Sequence, residues 1–199
     1  MLKNILHKIL KRTPINSLKI FIYKKIFKYQ IGENVVIGKS IIKGNVVCIG
    51  DDVLIRDNTT IVCNKLTIGN GTSILSGNTI MGSSSFKIGE NSRIINNHFI
   101  DLYNDVTIGN NTWIAGKSSQ FWTHGSIHTK KGNKNLSIVI GNDTYVSSRV
   151  SFAPGVTIGD NNLIGLGSVV TKSFLNTKTI ISGNMATVVK ENIDWRKNW

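Results

Sequence analysis

The feature that most constrains this chain is a tripeptide, Ile-Gly followed by Asn, Asp or Glu, which recurs seven times in 199 residues. Successive copies start 18, 19, 20, 20, 32 and 18 residues apart, at Ile31, Ile49, Ile68, Ile88, Ile108, Ile140 and Ile158. A repeat of this size predicts a solenoid in which each copy marks one coil. The single long step adds about fourteen residues to one coil, which predicts a loop inserted into a regular stack.

Within each coil, aliphatic residues recur every six positions, as at Ile68, Ile74 and Ile80. A period of six fits neither one face of a helix nor the alternation of a single strand. It predicts three short strands per coil, joined by tight turns, with one aliphatic side chain per strand directed into the core. Gly and Asn beside these positions supply turn conformations that other residues resist.

The N-terminal segment has a different composition. Residues 1–28 contain eight Lys or Arg and no acid, and the formal net charge of the whole chain is +13. Apolar residues at helical spacing predict a first amphipathic helix, and Thr13 followed by Pro14 predicts the N-cap and first turn of a second. The residues expected on these apolar faces are Leu2, Ile5, Leu6, Ile9 and Leu10, then Leu18, Ile22 and Ile26.

Two uses of this segment stay open from the sequence. The apolar stripe covers the open end of the solenoid, or the basic amphipathic pair lies on an anionic membrane surface. Both hold if the Lys face stays outward. The basic residues are not interleaved with aromatics along the solenoid, so we expect no nucleic-acid partner.

Composition also indicates the cellular compartment of the protein. No apolar run approaches the roughly 20 residues needed to span a bilayer, and the N-terminus lacks the pattern of a secretory signal. Cys48 and Cys63 are the only cysteines and are interpreted as reduced packing residues. We therefore expect a cytoplasmic protein, with peripheral membrane association through residues 1–28 on the inner face of the cytoplasmic membrane.

The hexapeptide pattern of residues 31–190 resembles the left-handed β-helix acyltransferases, which include galactoside, maltose and serine acetyltransferases. The most specific stretch is residues 140–172, where a Pro-Gly-Val-x-Ile-Gly coil precedes a Gly-x-Gly-Ser-Val-Val-Thr-Lys coil. The sequence SQFWTHG at residues 119–125 further resembles bacterial O-acetyltransferases that modify surface polysaccharides.

The resemblance implies an all-β solenoid, a left-handed parallel β-helix. We expect a basic amphipathic helical segment at residues 1–29 and the β-helix at residues 30–173, with a protruding loop at residues 117–137. Residues 174–199 form a C-terminal extension that includes a short helix. Members of this family are usually trimers with the active site between subunits, so a homotrimer is expected.

Acetyl transfer to a hydroxyl needs a base, and neutral histidine suits this role near pH 7. His124 occupies the position where the family's sugar acetyltransferases carry their catalytic histidine, so the resemblance makes it the general base. Asp101, one coil earlier, is interpreted either as the carboxylate that orients His124 or as a turn-forming residue. Either Trp122 or Phe121 is expected to anchor the loop, and Trp122 is a candidate sugar platform.

The resemblance supplies further candidates. Asn97 is the nearest match to an Asn that contacts the acceptor in related enzymes, and His128 is a candidate for shaping the acceptor site. The acyl donor is expected to be acetyl-CoA, held in a groove along the late coils between adjacent subunits, with no metal. Matching positions for coenzyme binding are Tyr145, Ser148, Leu166, Thr171, Lys172 and Lys190.

These residues predict an O-acetyltransferase that acts on a sugar of a capsule, lipopolysaccharide or precursor. Amino-sugar N-acetylation is the nearest alternative, since it shares scaffold and donor. A metal hydratase resembling the γ-type carbonic anhydrases is another, with His98, His124 and His128 as three ligands. A catalytically silent scaffold is the third.

Overall fold

The computed structural model describes residues 2–125 and 135–197, with side chains from Ile5 onward. The chain begins with two helices, α1 (Leu2–Arg12) and α2 (Asn16–Lys25). Within these described ranges, twenty-three short strands follow and wind into a solenoid with three sheets, one on each side. The predicted solenoid with an N-terminal helical segment is confirmed.

Each coil contributes one strand to each sheet in turn, which we call sheets A, B and C. Sheet A comprises β1 (Gln30–Ile31), β4 (Val46–Ile49), β7 (Lys65–Ile68), β10 (Ser85–Ile88), β13 (Val106–Ile108), β16 (Ile138–Ile140) and β19 (Thr157–Ile158). Sheet B comprises β2 (Val36–Ile37), β5 (Leu54–Ile55), β8 (Ser73–Ile74), β11 (Arg93–Asn96), β14 (Trp113–Lys117), β17 (Tyr145–Val146), β20 (Leu163–Ile164), β22 (Ile180–Ser182) and β23 (Thr187–Lys190).

Sheet C comprises β3 (Ile41–Lys43), β6 (Thr60–Val62), β9 (Thr79–Gly82), β12 (Phe99–Leu102), β15 (Gln120–Phe121), β18 (Ser151–Phe152) and β21 (Val169–Val170). Strand pairings are parallel except that of β22 with β23. We call the turn from sheet B to sheet C the B–C corner, and the turn from sheet C to the next strand of sheet A the C–A corner.

The repeated tripeptide stacks upon itself. Its Ile is buried, and the Asn or Asp side chain accepts a hydrogen bond from the backbone of the preceding coil, as from Asp51 N to Asn70 Oδ1 at 2.8 Å. A Cβ at Gly50 would collide with that Asn70 oxygen, so glycine is required between the two. The same bond crosses the long step, from Asn110 N to Asn142 Oδ1 at 2.8 Å. The inserted loop therefore leaves the stack intact.

Helix α2 closes the open end of the solenoid with polar groups. Asn16 Nδ2 donates to Val35 O at 2.8 Å, and Asn16 Oδ1 accepts from Ile37 N at 2.9 Å. The buried Lys19 ammonium donates to the carbonyls of Ile37 and Gly38 at 2.9 and 2.6 Å. Burial lowers the pKa of Lys19. These bonds satisfy backbone groups that an uncovered first coil would expose.

The predicted start of α2 is wrong, and of its predicted apolar face only Ile22 packs against the core. The helix begins at Asn16, with the extended Ile15 as its N-cap, and Leu18 is exposed. Its buried residues are Lys19 and Tyr23. A lysine is buried here because α2 covers the edge of the first coil, and that edge presents unpaired carbonyls that need a hydrogen-bond donor. Leu10 of α1 is fully buried, as predicted, whereas Ile5 and Ile9 of the same predicted face are about half exposed.

The C-terminal segment also differs from its prediction. Residues 192–197 form bends and a turn, and this described part contains no helix. Trp195 Nε1 donates to Asp143 O at 2.7 Å, and the Trp195 ring packs 5.3 Å from that of Tyr145. Arg196 lies 4.7 Å from the Trp195 ring. Side-chain docking onto sheet B holds this segment, so a helix is not needed to place it.

Candidate active site

His124 lies at the C–A corner, three residues beyond the buried Phe121 of β15. Its Nδ1 is 2.7 Å from Oδ2 of Asp101, which projects from β12 on the preceding coil. The Asp101 side chain is 12% exposed and the His124 side chain 44%. A nearly buried carboxylate thus holds one ring nitrogen of a histidine whose remaining surface is open to solvent.

Thr123 fixes the Asp101 carboxylate. Asp101 Oδ2 accepts from Thr123 N at 3.0 Å and from Thr123 Oγ1 at 2.7 Å. Thr123 is in turn held by Asn104, whose backbone N donates to Thr123 Oγ1 at 2.9 Å and whose Nδ2 donates to Thr123 O at 2.8 Å. The pair formed by Asp101 and His124 therefore stands on a closed hydrogen-bond network between two coils.

The charge of Asp101 determines which ring nitrogen of His124 carries the proton. Burial acts to raise the pKa of Asp101, but the hydrogen bonds from His124 and Thr123 outweigh it, and the pKa lies below its ordinary value. An ionised carboxylate only accepts hydrogen bonds, so Nδ1 of His124 must carry a proton. In the neutral imidazole, Nε2 then carries the lone pair and can accept a proton.

Aromatic side chains surround this histidine. The Trp122 ring packs 4.9 Å from Phe99 and stands edge-on to His124 at 6.4 Å. The Tyr103 ring lies 5.1 Å from His124 on the other coil. Phe121 is fully buried against Phe152, whereas Trp122 stays exposed, so Phe121 is the anchor of the pair.

His98 and Asn97 lie at the B–C corner, at the other end of the sheet C strands. His98 is buried, and its Nδ1 accepts a hydrogen bond from Ser119 N at 3.1 Å. Burial lowers the pKa of His98 to about 4, so it is neutral near pH 7. In one subunit neither residue reaches His124, which lies roughly 16 Å from His98 along the strand direction.

The metal-hydratase alternative is not favoured by this geometry. His98 is turned into the solenoid, and His128 lies outside the described residues. Across the two described ranges, no group of three His, Cys, Asp or Glu side chains is placed to hold a metal ion.

The repeats match a known family. The model described as bacterial transferase hexapeptide (six repeats) matches residues 137–172. A galactoside O-acetyltransferase of Escherichia coli (strain K12) is 35% identical over 125 residues, which cover 57% of this chain and 61% of that protein. Over these parts of its length the chain is similar to the hexapeptide-repeat transferases.

Two further similar proteins are also described as acetyltransferases. A putative colanic acid biosynthesis acetyltransferase of Escherichia coli (strain K12) is 35% identical over 100 residues, 48% of this chain and 53% of that protein. This chain thus spans 61% or less of the length of these two curated relatives. The solved structure of a polySia specific acetyltransferase covers 84% of this chain and 83% of its own, with 26% identity and a TM-score of 0.55.

The hexapeptide-family positions predicted for the coenzyme separate into two groups in one subunit. Thr171 and Lys172 follow β21 at the C–A corner, two coils beyond His124. Ser148 and Leu166 lie at the B–C corner, roughly 15 Å away across the strands. Both Thr171 and Leu166 are exposed.

Tyr145 and Lys190 lie apart from both groups, on sheet B. The Tyr145 ring is covered by Trp195, and Lys190 is exposed in β23. The assignment of all six residues to the coenzyme stays a prediction.

Sequence reasoning missed Tyr103, whose ring lies beside His124, and Phe99, whose ring packs against Trp122. The register between neighbouring coils could have identified Tyr103. Ile100 pairs with Phe121, so the residues three positions beyond each, Tyr103 and His124, come to the same corner. Thr123, treated only as a neighbour of His124 in the sequence, is the residue that holds the Asp101 carboxylate.

Proposed function

We propose that this chain is an acetyl-CoA-dependent O-acetyltransferase that modifies a sugar hydroxyl of a bacterial surface polysaccharide or its precursor, with His124 as general base. The observation that carries the proposal is the hydrogen bond between Asp101 and His124, which prepares Nε2 as a proton acceptor. The relatives named above support the reaction class, since they are described as acetyltransferases of galactoside, colanic acid and polysialic acid.

The reaction follows from the tautomer. Nε2 of His124 takes the proton of the sugar hydroxyl as its oxygen attacks the thioester carbonyl. Asp101 stabilises the imidazolium that forms, because its ionised carboxylate lies 2.7 Å from Nδ1. When the tetrahedral intermediate collapses, the C–S bond breaks and the imidazolium returns the proton to the thiolate of coenzyme A. The Trp122 ring would offer an apolar face to the sugar.

Transfer is proposed to be direct, in a ternary complex. Burial raises the pKa of the Cys63 thiol to about 11, which makes it a poor nucleophile near pH 7. Cys48 lies in β4 of sheet A, three coils before the coil of His124, and its Sγ is 3.1 Å from Gln30 Oε1. Neither cysteine adjoins the site, so the acceptor oxygen itself attacks the donor.

Assembly and location are part of the proposal. In a homotrimer, the Thr171 and Lys172 group of one subunit and the Ser148 and Leu166 group of a neighbour would line one donor groove. We place the enzyme in the cytoplasm, peripheral to the membrane through residues 1–28. Within the described residues, no helix is long and apolar enough to cross a bilayer.

The test is release of coenzyme A from acetyl-CoA across candidate glycans, amino sugars included. Removing a general base typically costs 10²- to 10⁴-fold, so His124→Ala should lower the turnover rate by about that factor. His98→Asn serves as the matched control, because it replaces a histidine outside the site and should leave turnover unchanged. Equal release by wild type and His124→Ala would refute the mechanism, and product on nitrogen alone would favour N-acetylation.

A further inference from the structure

A groove of about 640 Å³ lies between α1 and the first two coils. Ile5 and Ile9 of α1 and Ile41 of β3 supply its apolar lining. Ile5 and Ile9 are 48% and 53% exposed, so the helix leaves part of its apolar surface uncovered. Large apolar side chains exposed together at a groove mark a site for an apolar ligand group.

Four cationic side chains line the same groove: Lys8, Lys11, Arg12 and Lys39. Lys11 and Arg12 lie in the last turn of α1, where cations are favoured by the helix dipole. The dipole does not account for Lys8, in the middle of the helix, or for Lys39 on the solenoid. Residues 1–28 contain no acid, so α1 contributes no carboxylate to offset these charges.

The structure thus combines an apolar lining with a cationic rim at one place. A phosphate group flanked by acyl chains has the complementary chemistry. We propose that this groove binds the phosphate headgroup and upper acyl chain of an anionic membrane lipid, with Ile5 and Ile9 against the chain and the cations around the phosphate. The inference rests on the peripheral membrane association proposed above and names its lipid class and its site.

The position of the groove also fixes its distance from the candidate base, His124. Ile41 lies in β3 and His124 follows β15, and these strands belong to the same sheet, four pairings apart. At about 4.8 Å per pairing, the base lies roughly 19 Å from the groove along the solenoid axis. That separation suits an acceptor whose sugars extend several residues from a lipid phosphate, while leaving the aromatic platform at His124 clear of the bilayer.

Vesicle flotation with the full chain tests the site. Wild type should float with vesicles of equal parts phosphatidylcholine and phosphatidylglycerol, and stay behind with phosphatidylcholine alone. Each Lys or Arg near an anionic surface strengthens binding about fivefold, so Lys8→Ala combined with Lys11→Ala should weaken it roughly 30-fold. Higher salt should weaken the wild type as well.

Matched controls come from sheet A. Lys65→Ala with Lys87→Ala removes the same charge from exposed positions of β7 and β10. Val46→Glu matches Ile9→Glu, since Val46 is 51% exposed. Ile9→Glu should abolish flotation, whereas all the control variants should float like wild type. Thermal melting of each variant checks that it is folded.

Three outcomes would overturn the inference. If the groove variants and the control variants weaken flotation equally, general charge drives binding and the site is refuted. Failure of wild type to float also refutes it. Full displacement by inorganic phosphate at matched concentration would show a phosphate site that needs no lipid. His124→Ala should float normally, so failure of the lipid site and failure of the catalytic proposal are separate results.

Discussion

His98 and His124 lie on neighbouring coils, at opposite ends of paired sheet C strands, and are used in opposite ways. His98 is buried, and its Nδ1 accepts a hydrogen bond from a backbone N–H, so that nitrogen carries a lone pair. Nδ1 of His124 faces a carboxylate and carries the proton, while the ring is open to solvent. The comparison teaches that the partner of Nδ1, together with exposure, separates a structural histidine from a candidate base.

The largest expected effect comes from a substitution of Asp101, the hydrogen-bond partner of His124. Asp101→Asn replaces the ionised acceptor by an amide that can donate to Nδ1, which would leave the proton on Nε2. We expect kcat to fall about 10²- to 10⁴-fold with little change in KM, because Asp101 is a positioning residue. Steady-state kinetics and the pH profile of kcat measure this.

Asp105→Asn is the matched control for that change. Asp105 lies at the same corner but accepts from Ser85 N at 2.7 Å, a role that an Asn oxygen can keep. If Asp105→Asn lowers kcat as much as Asp101→Asn does, the tautomer argument fails.

The second effect concerns His98 and the pH dependence of the free energy of unfolding. The pKa of His98 falls from 6.5 to about 4 on folding. Between pH 6.5 and pH 4, this histidine is therefore protonated in the unfolded chain but neutral in the folded chain. The free energy of unfolding is therefore unaffected above pH 6.5 and decreases as pH falls. This histidine should account for a loss of about 3 kcal/mol by pH 4.

His98→Asn isolates that contribution. Asn78 occupies the equivalent position one coil earlier, and its Oδ1 accepts from His98 N at 2.9 Å, so Asn fits this column. Urea denaturation at pH 7 and pH 4 should give the variant a shallower pH dependence than wild type. Parallel curves would show that His98 does not carry the acid sensitivity.

The smallest effect removes the ring beside His124. Tyr103→Ala should raise KM for the sugar about three- to tenfold, the size of one lost aromatic contact, and leave kcat nearly unchanged. Tyr103→Phe retains the ring and should restore KM. A fall in kcat for both variants would instead assign the hydroxyl a part in the chemistry.

Much of the fold could be predicted because one period governs most of the chain. The tripeptide and the six-residue spacing located the coils, since the buried Ile recurs in register and most of the tripeptide glycines face an Asn or Asp of the next coil. The N-terminal helices were less predictable. An apolar stripe suggested which face of α2 is buried, but the surface it covers is a row of carbonyls, and Lys19 was selected by hydrogen bonding.

The candidate site was predictable where local sequence sufficed. The loop sequence pointed to His124 and Trp122, but the roles open to Asp101 could be separated only by a contact between residues 23 positions apart. Tyr103 was missed because its neighbour lies on another coil. A short helix was predicted in the C-terminal extension, yet Trp195 there is held by Tyr145 and Asp143, about fifty residues earlier.

The bond from Asn110 N to Asn142 Oδ1 shows that the stack closes directly beneath the long step. Asp101, Thr123 and Asn104 are likewise joined by hydrogen bonds between two neighbouring coils. The coil stack and the pair formed by Asp101 and His124 therefore share one hydrogen-bonded framework. A lengthened corner at this point costs the solenoid no register, so the buried column continues unbroken on either side of it.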